Sequence, residues 1–210
     1  MNSFSTSEAL KEILGRSALP QLTIRTVLPK DISSLAELLT DSFHPRSGLV
    51  QWVHPLLRMG IHEDLRNRLR GKHPHYICLV AGWREEVSGS GAFSRTPEYL
   101  AGTIEMALRP SFAWNQKSQY LYVSNLAVRV ECRRRGIAQQ LLLACEHIAL
   151  SWGFHELYLH VLEDNYQARN LYYKCGYDLK EIDYCWSLPF YRPPRRLLLH
   201  KHLSTPLANH

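Results

Sequence analysis

Apolar positions along the chain change period several times, and each change predicts an element. Residues 22–27 (LTIRTV) read as a short strand. Asp31 then stands where a helix N-cap is expected, ahead of Ile32, Leu35, Leu38, Leu39 and Phe43 at helical spacing. A second stripe of Leu57, Ile61, Leu65 and Leu69 predicts a helix over 55–70, with Arg58, Glu63, Asp64, Arg66, Arg68 and Arg70 as its solvated side. From residue 75 the period shortens. Residues 75–83 (HYICLVAGW), 99–108 (YLAGTIEMAL) and 120–128 (YLYVSNLAV) read as three successive strands, separated by the Gly-, Ser- and charge-rich 84–98 and by a break at 110–118. Helical spacing returns with Ala138, Leu141, Leu142, Cys145, Ile148, Ala149 and Trp152, and Gly153 stands at the expected C′ position. Residues 156–162 alternate Leu157, Leu159 and Val161 against Tyr158 and His160. Asn165 heads a short helix bearing Ala168, Leu171, Tyr172 and Cys175, closed by Gly176. Strands over 177–184 and 195–202 complete the pattern, with an aromatic, proline-rich loop between them.

The resulting order, β-α-α-β-β-β-α-β-α-β-β, predicts a mixed α/β fold. The strand–helix–strand at 120–162 is a crossover, so its two strands should run parallel and the others antiparallel. The organisation expected is one domain over 21–204, preceded by an extension at 1–20 and followed by a tail at 205–210. A chain of 210 residues with 45% hydrophobic and 21% charged positions can bury a core without metals or disulfides. The five cysteines (Cys78, Cys132, Cys145, Cys175, Cys185) form no CxxC or CxxH pair, which argues against a zinc site and for a reducing compartment. No apolar run approaches the ~18 residues of a membrane span, and Glu8 and Glu12 interrupt the start of the chain where a secretory signal would be apolar. The net charge of +6 suits nucleic acid, an anionic cofactor or an acidic protein equally.

Chemistry enters at Arg133-Arg134-Arg135-Gly136-Ile137-Ala138, between the strand ending at Val128 and the helix beginning near Ala138. Glycine lets backbone amides come close to an anion, and a helix N-terminus adds partial positive charge worth about 0.3–1 kcal/mol per charge at exposed sites. The arginines bring full charges, and small Ala138 keeps the first helical turn close. A diphosphate fits such a turn; so does the plainer reading of a basic solvated loop. Neither the Walker pattern nor the Rossmann pattern is present.

The stretch [Q/R]-x-x-G-x-[G/A] after Leu126-Ala127-Val128 resembles the signature of the GNAT superfamily of acetyl-CoA-dependent N-acetyltransferases. Asn165-x-x-Ala168-x-x-Leu171-Tyr172-x-Lys174-x-Gly176-Tyr177 resembles a second segment of the same family. The element order from about 22 to 203 agrees. The helix-rich opening and residues 55–70 also look like the plastid and cyanobacterial branch.

The resemblance implies a mostly antiparallel sheet with a splayed parallel central pair, flanked by helices. In it acetyl-CoA is the co-substrate and no metal takes part. Pantetheine is expected along Leu126, Ala127 and Val128. Pyrophosphate is expected on the amides of Arg134, Arg135, Gly136, Ile137 and Ala138, with Arg133 and Gln139 beside it. Asn165 caps its helix and faces the cofactor's arm, although capping alone accounts for it equally well. Tyr172 matches the family's general-acid position. A phenol of pKa ~10 can protonate a thiolate of pKa ~8.5 when the thiolate is desolvated. Tyr173 points about 100° away around the helix. His160, five residues before Asn165, sits where some N-terminal-residue acetyltransferases carry a base. Glu105 and a water chain are the alternatives, and the base stays open.

The acceptor expected is a primary amine of a protein or peptide, either an N-terminal α-amine or a lysine ε-amine. A small amine such as an arylalkylamine or polyamine is the alternative, and a non-catalytic acyl-CoA-binding or RNA-associated module is a third reading. The loops at 43–54 and 185–196 are the expected specificity elements. No basic stripe interleaved with aromatics supports nucleic acid, and no membrane partner is expected. The compartment expected is the cytoplasm, or the plastid stroma for a plant or algal chain.

Overall fold

The computed structural model describes residues 19, 21–43, 50–71, 73–84, 98–110, 119–183 and 195–204, with backbone alone for 50–57. The extension at 1–20, apart from Leu19, and the tail at 205–210 lie outside these residues. The predicted elements recur in order: β1 (Leu22–Thr26), α1 (Ile32–Phe43), α2 (Val50–Arg70), β2 (Tyr76–Trp83), β3 (Tyr99–Pro110), β4 (Gln119–Val128), α3 (Ile137–Ser151), β5 (Glu156–Leu162), α4 (Tyr166–Lys174), β6 (Asp178–Asp183) and β7 (Arg196–His202). The seven strands form one sheet in the order β1-β2-β3-β4-β5-β7-β6. β4 and β5 run parallel, and the β1–β2, β5–β7 and β6–β7 pairs are antiparallel. The parallel ladder is short, with Leu121 opposite Leu157 and Tyr122 opposite Tyr158 as its register pairs.

Two details differ from expectation. α2 begins at Val50, upstream of the predicted start, and Pro55 lies inside it. There its missing N–H forgoes one i→i−4 bond without ending the helix. Asp31 precedes α1 as predicted, but its carboxylate reaches backwards. It accepts from the Leu28 amide at 2.8 Å and takes both guanidinium nitrogens of Arg25, at 2.6 and 3.0 Å. Burial would raise its pKa, but the Arg25 bonds and the Leu28 amide outweigh this and hold the carboxyl below its ordinary range.

The chain divides into two compact units. The first comprises Met1–Glu105 and Asn125–Ala144. Its core joins Leu35, Leu38 and Leu39 of α1 and Leu65 of α2 to Cys78 of β2 and Ala127 of β4. Gly102 on β3 allows close packing there. A Cβ at that position would stand 3.0 Å from the Ala127 carbonyl oxygen and 3.3 Å from side-chain carbons of Ile137 and Leu141.

The second unit comprises Met106–Ser124 and Cys145–His210. The period-two pattern of β5 buries Leu157, Leu159 and Val161, and β7 contributes Leu197 and Leu199. Tyr158 is covered as well, against Tyr120 and His200 and beneath the Lys180 ammonium. Lys201 Nζ and Glu146 Oε1 form a largely buried ion pair at 2.7 Å. Cys78, Cys132 and Cys145 are buried free thiols and Cys175 a half-buried one.

Candidate functional site

The basic turn belongs to the first unit. At its start, the Arg129 amide donates to the Ala101 carbonyl at 2.8 Å and its Nε to the Leu100 carbonyl at 2.7 Å, tying the end of β4 to β3. A short 3₁₀ turn over Val130–Cys132 buries the Cys132 thiol. The chain then takes left-handed conformations at Arg134 (φ 66°) and Gly136 (φ 79°), on either side of Arg135. α3 opens at Ile137, and its first amide bond runs from Gln140 to the Gly136 carbonyl at 3.1 Å. Among the described residues, the amides of 134–139 donate to no main-chain carbonyl, and these are the groups an anion at a helix N-terminus requires. A Cβ on Gly136 would meet nothing closer than 3.8 Å, so its left-handed φ, rather than lack of room, calls for glycine.

The three arginines differ. Arg133 Nε donates to the Val128 carbonyl at 3.1 Å, and the Arg135 guanidinium lies 5.1 Å over the Trp83 ring. Both therefore shape the turn while adding to its field. The Arg134 side chain is exposed, as is that of Gln139. Leu126, Ala127 and Val128 form the end of β4, with Ala127 buried.

In the second unit, Asn165 caps α4, its Oδ1 accepting from the Ala168 amide at 3.1 Å. At the other end, Gly176 (φ 82°) closes the helix with the crossed bonds of a Schellman motif. The Tyr177 amide donates to the Tyr172 carbonyl and the Gly176 amide to the Tyr173 carbonyl, both at 3.0 Å. That closure brings the Tyr177 ring edge-on to Tyr172, with centroids 5.9 Å apart. Tyr172 is 8% exposed, whereas Tyr173 is 40% exposed. Burial, reinforced by Tyr122 and Cys175, pushes the Tyr172 phenol up to about 12.

His160 sits on β5 with both ring nitrogens engaged. Nε2 lies 3.0 Å from Asp183 Oδ2 on β6, and Nδ1 lies 2.9 Å from the hydroxyl of Tyr122 on β4. A carboxylate only accepts, so Nε2 carries the hydrogen and the Nδ1 lone pair accepts from the Tyr122 hydroxyl. The Arg109 guanidinium covers the Tyr122 ring at 3.8 Å. Burial and the positive charges of Arg196 and Arg109 outweigh Asp183 and hold the imidazole below its ordinary 6.5. Tyr122, Asp183 and Arg109 carry no motif, and only β4 and β5 pairing in register brings the first of them to His160.

Glu105 has a different setting. It is 2% exposed, with Oε2 on Arg68 at 3.1 Å and Oε1 accepting from Asn125 Nδ2 at 2.9 Å. Both oxygens are committed to structural partners. Residues 44–49 and 184–194, which hold most of the two expected specificity loops, lie outside the described residues. Among the described residues no group of three or more His, Cys, Asp or Glu is arranged to hold a metal ion, and no helix is long and apolar enough to cross a membrane.

The model of the acetyltransferase (GNAT) family matches residues 33–177. The Arabidopsis thaliana protein GCN5-related N-acetyltransferase 10, chloroplastic, is 36% identical over 140 residues, covering 65% of this chain and 54% of that protein. The chain spans about half the length of the curated relatives it matches. Arabidopsis thaliana NAA60 in complex with a bisubstrate analogue has a TM-score of 0.58 at 20% identity, covering 86% of this chain and 97% of that one. A chimera of the spermidine N-acetyltransferase SpeG from Vibrio cholerae and hSSAT has a TM-score of 0.59 at 15% identity, covering 87% and 96%. At these identities the likeness of the two structures is one of fold.

Proposed function

The chain belongs to the acetyltransferase (GNAT) family, and from that premise we propose that it transfers acetyl from acetyl-CoA to a primary amine of a protein or peptide. The observation that carries the cofactor assignment is the run of amides at 134–139 that donate to no main-chain carbonyl among the described residues, bent by left-handed Arg134 and Gly136 at the start of α3. Arg133, Arg134 and Arg135 supply charge there, and Gln139 borders the same turn. Leu126, Ala127 and Val128 are the segment for the pantetheine arm, and Asn165 is the candidate for a further contact beyond its capping role.

The acetyl thioester supplies an electrophilic carbonyl; the chain's residues manage the protons. Tyr122, hydrogen-bonded to His160, accepts a proton from the attacking amine as its own passes to Nδ1, and Asp183 steadies the imidazolium through Nε2. The new C–N bond forms as the C–S bond breaks, and the Tyr172 hydroxyl gives its proton to the leaving thiolate. Burial that raises the Tyr172 phenol also raises the basicity of a thiolate beside it, so the transfer stays near balance.

Arg109 and Arg196 make the surroundings of His160 positive, which disfavours a polycation such as a polyamine and supports a protein acceptor. A base held below 6.5 matches an α-amine of pKa ~8 better than a lysine of ~10.4. The N-terminal α-amine is therefore the first choice. The chloroplastic relatives favour the plastid stroma over the general cytoplasm as the compartment. Incubation with acetyl-CoA and an equimolar mixture of peptides and spermidine, followed by mass spectrometry, tests the whole reading. Acetylated peptide α-amines are expected; acetylated spermidine alone would favour the small-amine alternative, and no transfer together with no CoA binding in calorimetry would overturn both.

A further inference from the structure

Asn125, within β4, takes a left-handed backbone (φ 53°) one residue before Leu126–Val128. Asparagine enters that region at less cost than other non-glycine residues, but a strand provides no local reason to do so. The reason lies in its side chain. Nδ2 donates at 2.9 Å to Glu105 Oε1, a carboxylate 2% exposed whose other oxygen takes the Arg68 guanidinium at 3.1 Å. Arg68 is held in turn by Asp64 one helical turn earlier, at 2.8 Å. Thr103, two residues before Glu105, is fixed by its hydroxyl on the Leu79 carbonyl at 3.0 Å, so the strand bearing the carboxylate is itself anchored. The downstream end of the same short segment is tied by Arg129 to Leu100 and Ala101 and by Arg133 to Val128. Leu126–Val128 is thus clamped at both ends by polar contacts, half-buried at Asn125 and Arg129 and exposed at Arg133, and the upstream clamp is Glu105.

We infer that Glu105 is a positioning residue that acts through Asn125, fixing the left-handed kink that aims the Leu126–Val128 backbone at the pantetheine arm of acetyl-CoA. The inference rests on the proposed use of that segment. It removes Glu105 from the candidates for the base, since both its oxygens already serve the kink and α2. Arg68 links α2 to the same kink, so the helix helps set the direction of the strand end.

Glu105→Gln, Asn125→Ala, Asn125→Gly and the Glu105→Gln/Asn125→Gly pair, with wild type, are compared by calorimetry with CoA, by amide exchange of the free protein over 126–128, and by the pH profile of acetyl transfer. Asn125→Ala should weaken CoA binding about tenfold, the penalty expected of a residue that resists the left-handed region; Glu105→Gln, which keeps Asn125 but loosens its anchor, should weaken it about fivefold, and both should speed exchange at 126–128. Asn125→Gly reaches the kink without help and should stay within about threefold of wild type. Adding Glu105→Gln to it should cost nothing further, because the two act as one unit. The acid limb of the rate profile should not move in Glu105→Gln. Unchanged CoA affinity with a displaced limb would make Glu105 the base and overturn the inference, as would losses that multiply in the double variant. Should Glu105→Gln fail to fold, Asn125→Ala against Asn125→Gly carries the test, and equal affinities there would overturn it. Wild type that binds no CoA would instead overturn the cofactor reading, with exchange at 126–128 still reporting on the clamp.

Discussion

The turn at Arg133–Gln139 and the group around His160 are built of different material. The turn offers main-chain amides aligned by two left-handed residues and a helix start. The His160 group works through side chains from β4, β5 and β6, joined by hydrogen bonds of 2.9 and 3.0 Å, with guanidinium groups of β3 and β7 acting on it. A backbone site tolerates most side-chain changes and fails when its dihedrals or its charge are altered. A side-chain site tolerates backbone-neutral changes elsewhere and fails when one atom is removed. The two should therefore respond to mutation in separable ways: binding in one, turnover and its pH dependence in the other.

Ordered by expected size, the predictions probe that separation. Tyr172→Phe should lower kcat by about 10²–10³-fold while CoA affinity in calorimetry stays put; equal turnover would leave the buried ring with a packing role alone. Gly136→Glu forces a side chain into φ 79° and places a negative charge among the free amides, so CoA binding should weaken by about two orders of magnitude. Undiminished binding would break the backbone half of the comparison.

In the proposed reaction, His160 acts in its neutral form. Its pKa is held below 6.5, so the acid limb that His160 contributes to the rate profile should lie beneath that value, apart from the limb near ~8 set by an α-amine acceptor. Asp183→Asn removes the partner that opposes the lowering, so this acid limb should move lower still while kcat drops on the order of tenfold. A limb that stays in place in that variant would take Asp183 out of the group. Gly102→Ala should touch neither chemistry. Its Cβ crowds the Ala127 carbonyl, Ile137 and Leu141, which implies about 1–3 kcal/mol of destabilisation and a melting midpoint lower by about 2–4 °C for each kcal/mol.

Local features were legible in the sequence because their causes are local. The apolar stripes of α1 and α3, the alternation of β5, the Asn165 cap and the left-handed Gly153 and Gly176 each depend on residues within one or two turns. Pro55 hid the true start of α2, since one lost hydrogen bond does not end a helix that is otherwise sustained. Asp31 stood in the right place, but Arg25, six residues upstream, decided which way its carboxylate turned. The partners of His160 and Glu105 come from far along the chain, Tyr122 and Arg68 lying 38 and 37 residues away. No spacing rule connects such residues; sheet register and helix packing do.

Two polar contacts bear on the chain's own amines. If the proposed function holds, the chain works amid a reactive thioester, and its own lysines compete as targets. Only an unprotonated, accessible amine reacts. Lys180 gives its hydrogen to the Tyr158 hydroxyl at 2.9 Å, a bond that raises its pKa and keeps the nitrogen charged. Lys201 is mostly covered and bound to Glu146 at 2.7 Å. Both amines of the β6–β7 pair are thereby held back from self-modification, and peptide maps of protein stored with acetyl-CoA should find them unacetylated after exposed lysines such as Lys30 and Lys174 have reacted.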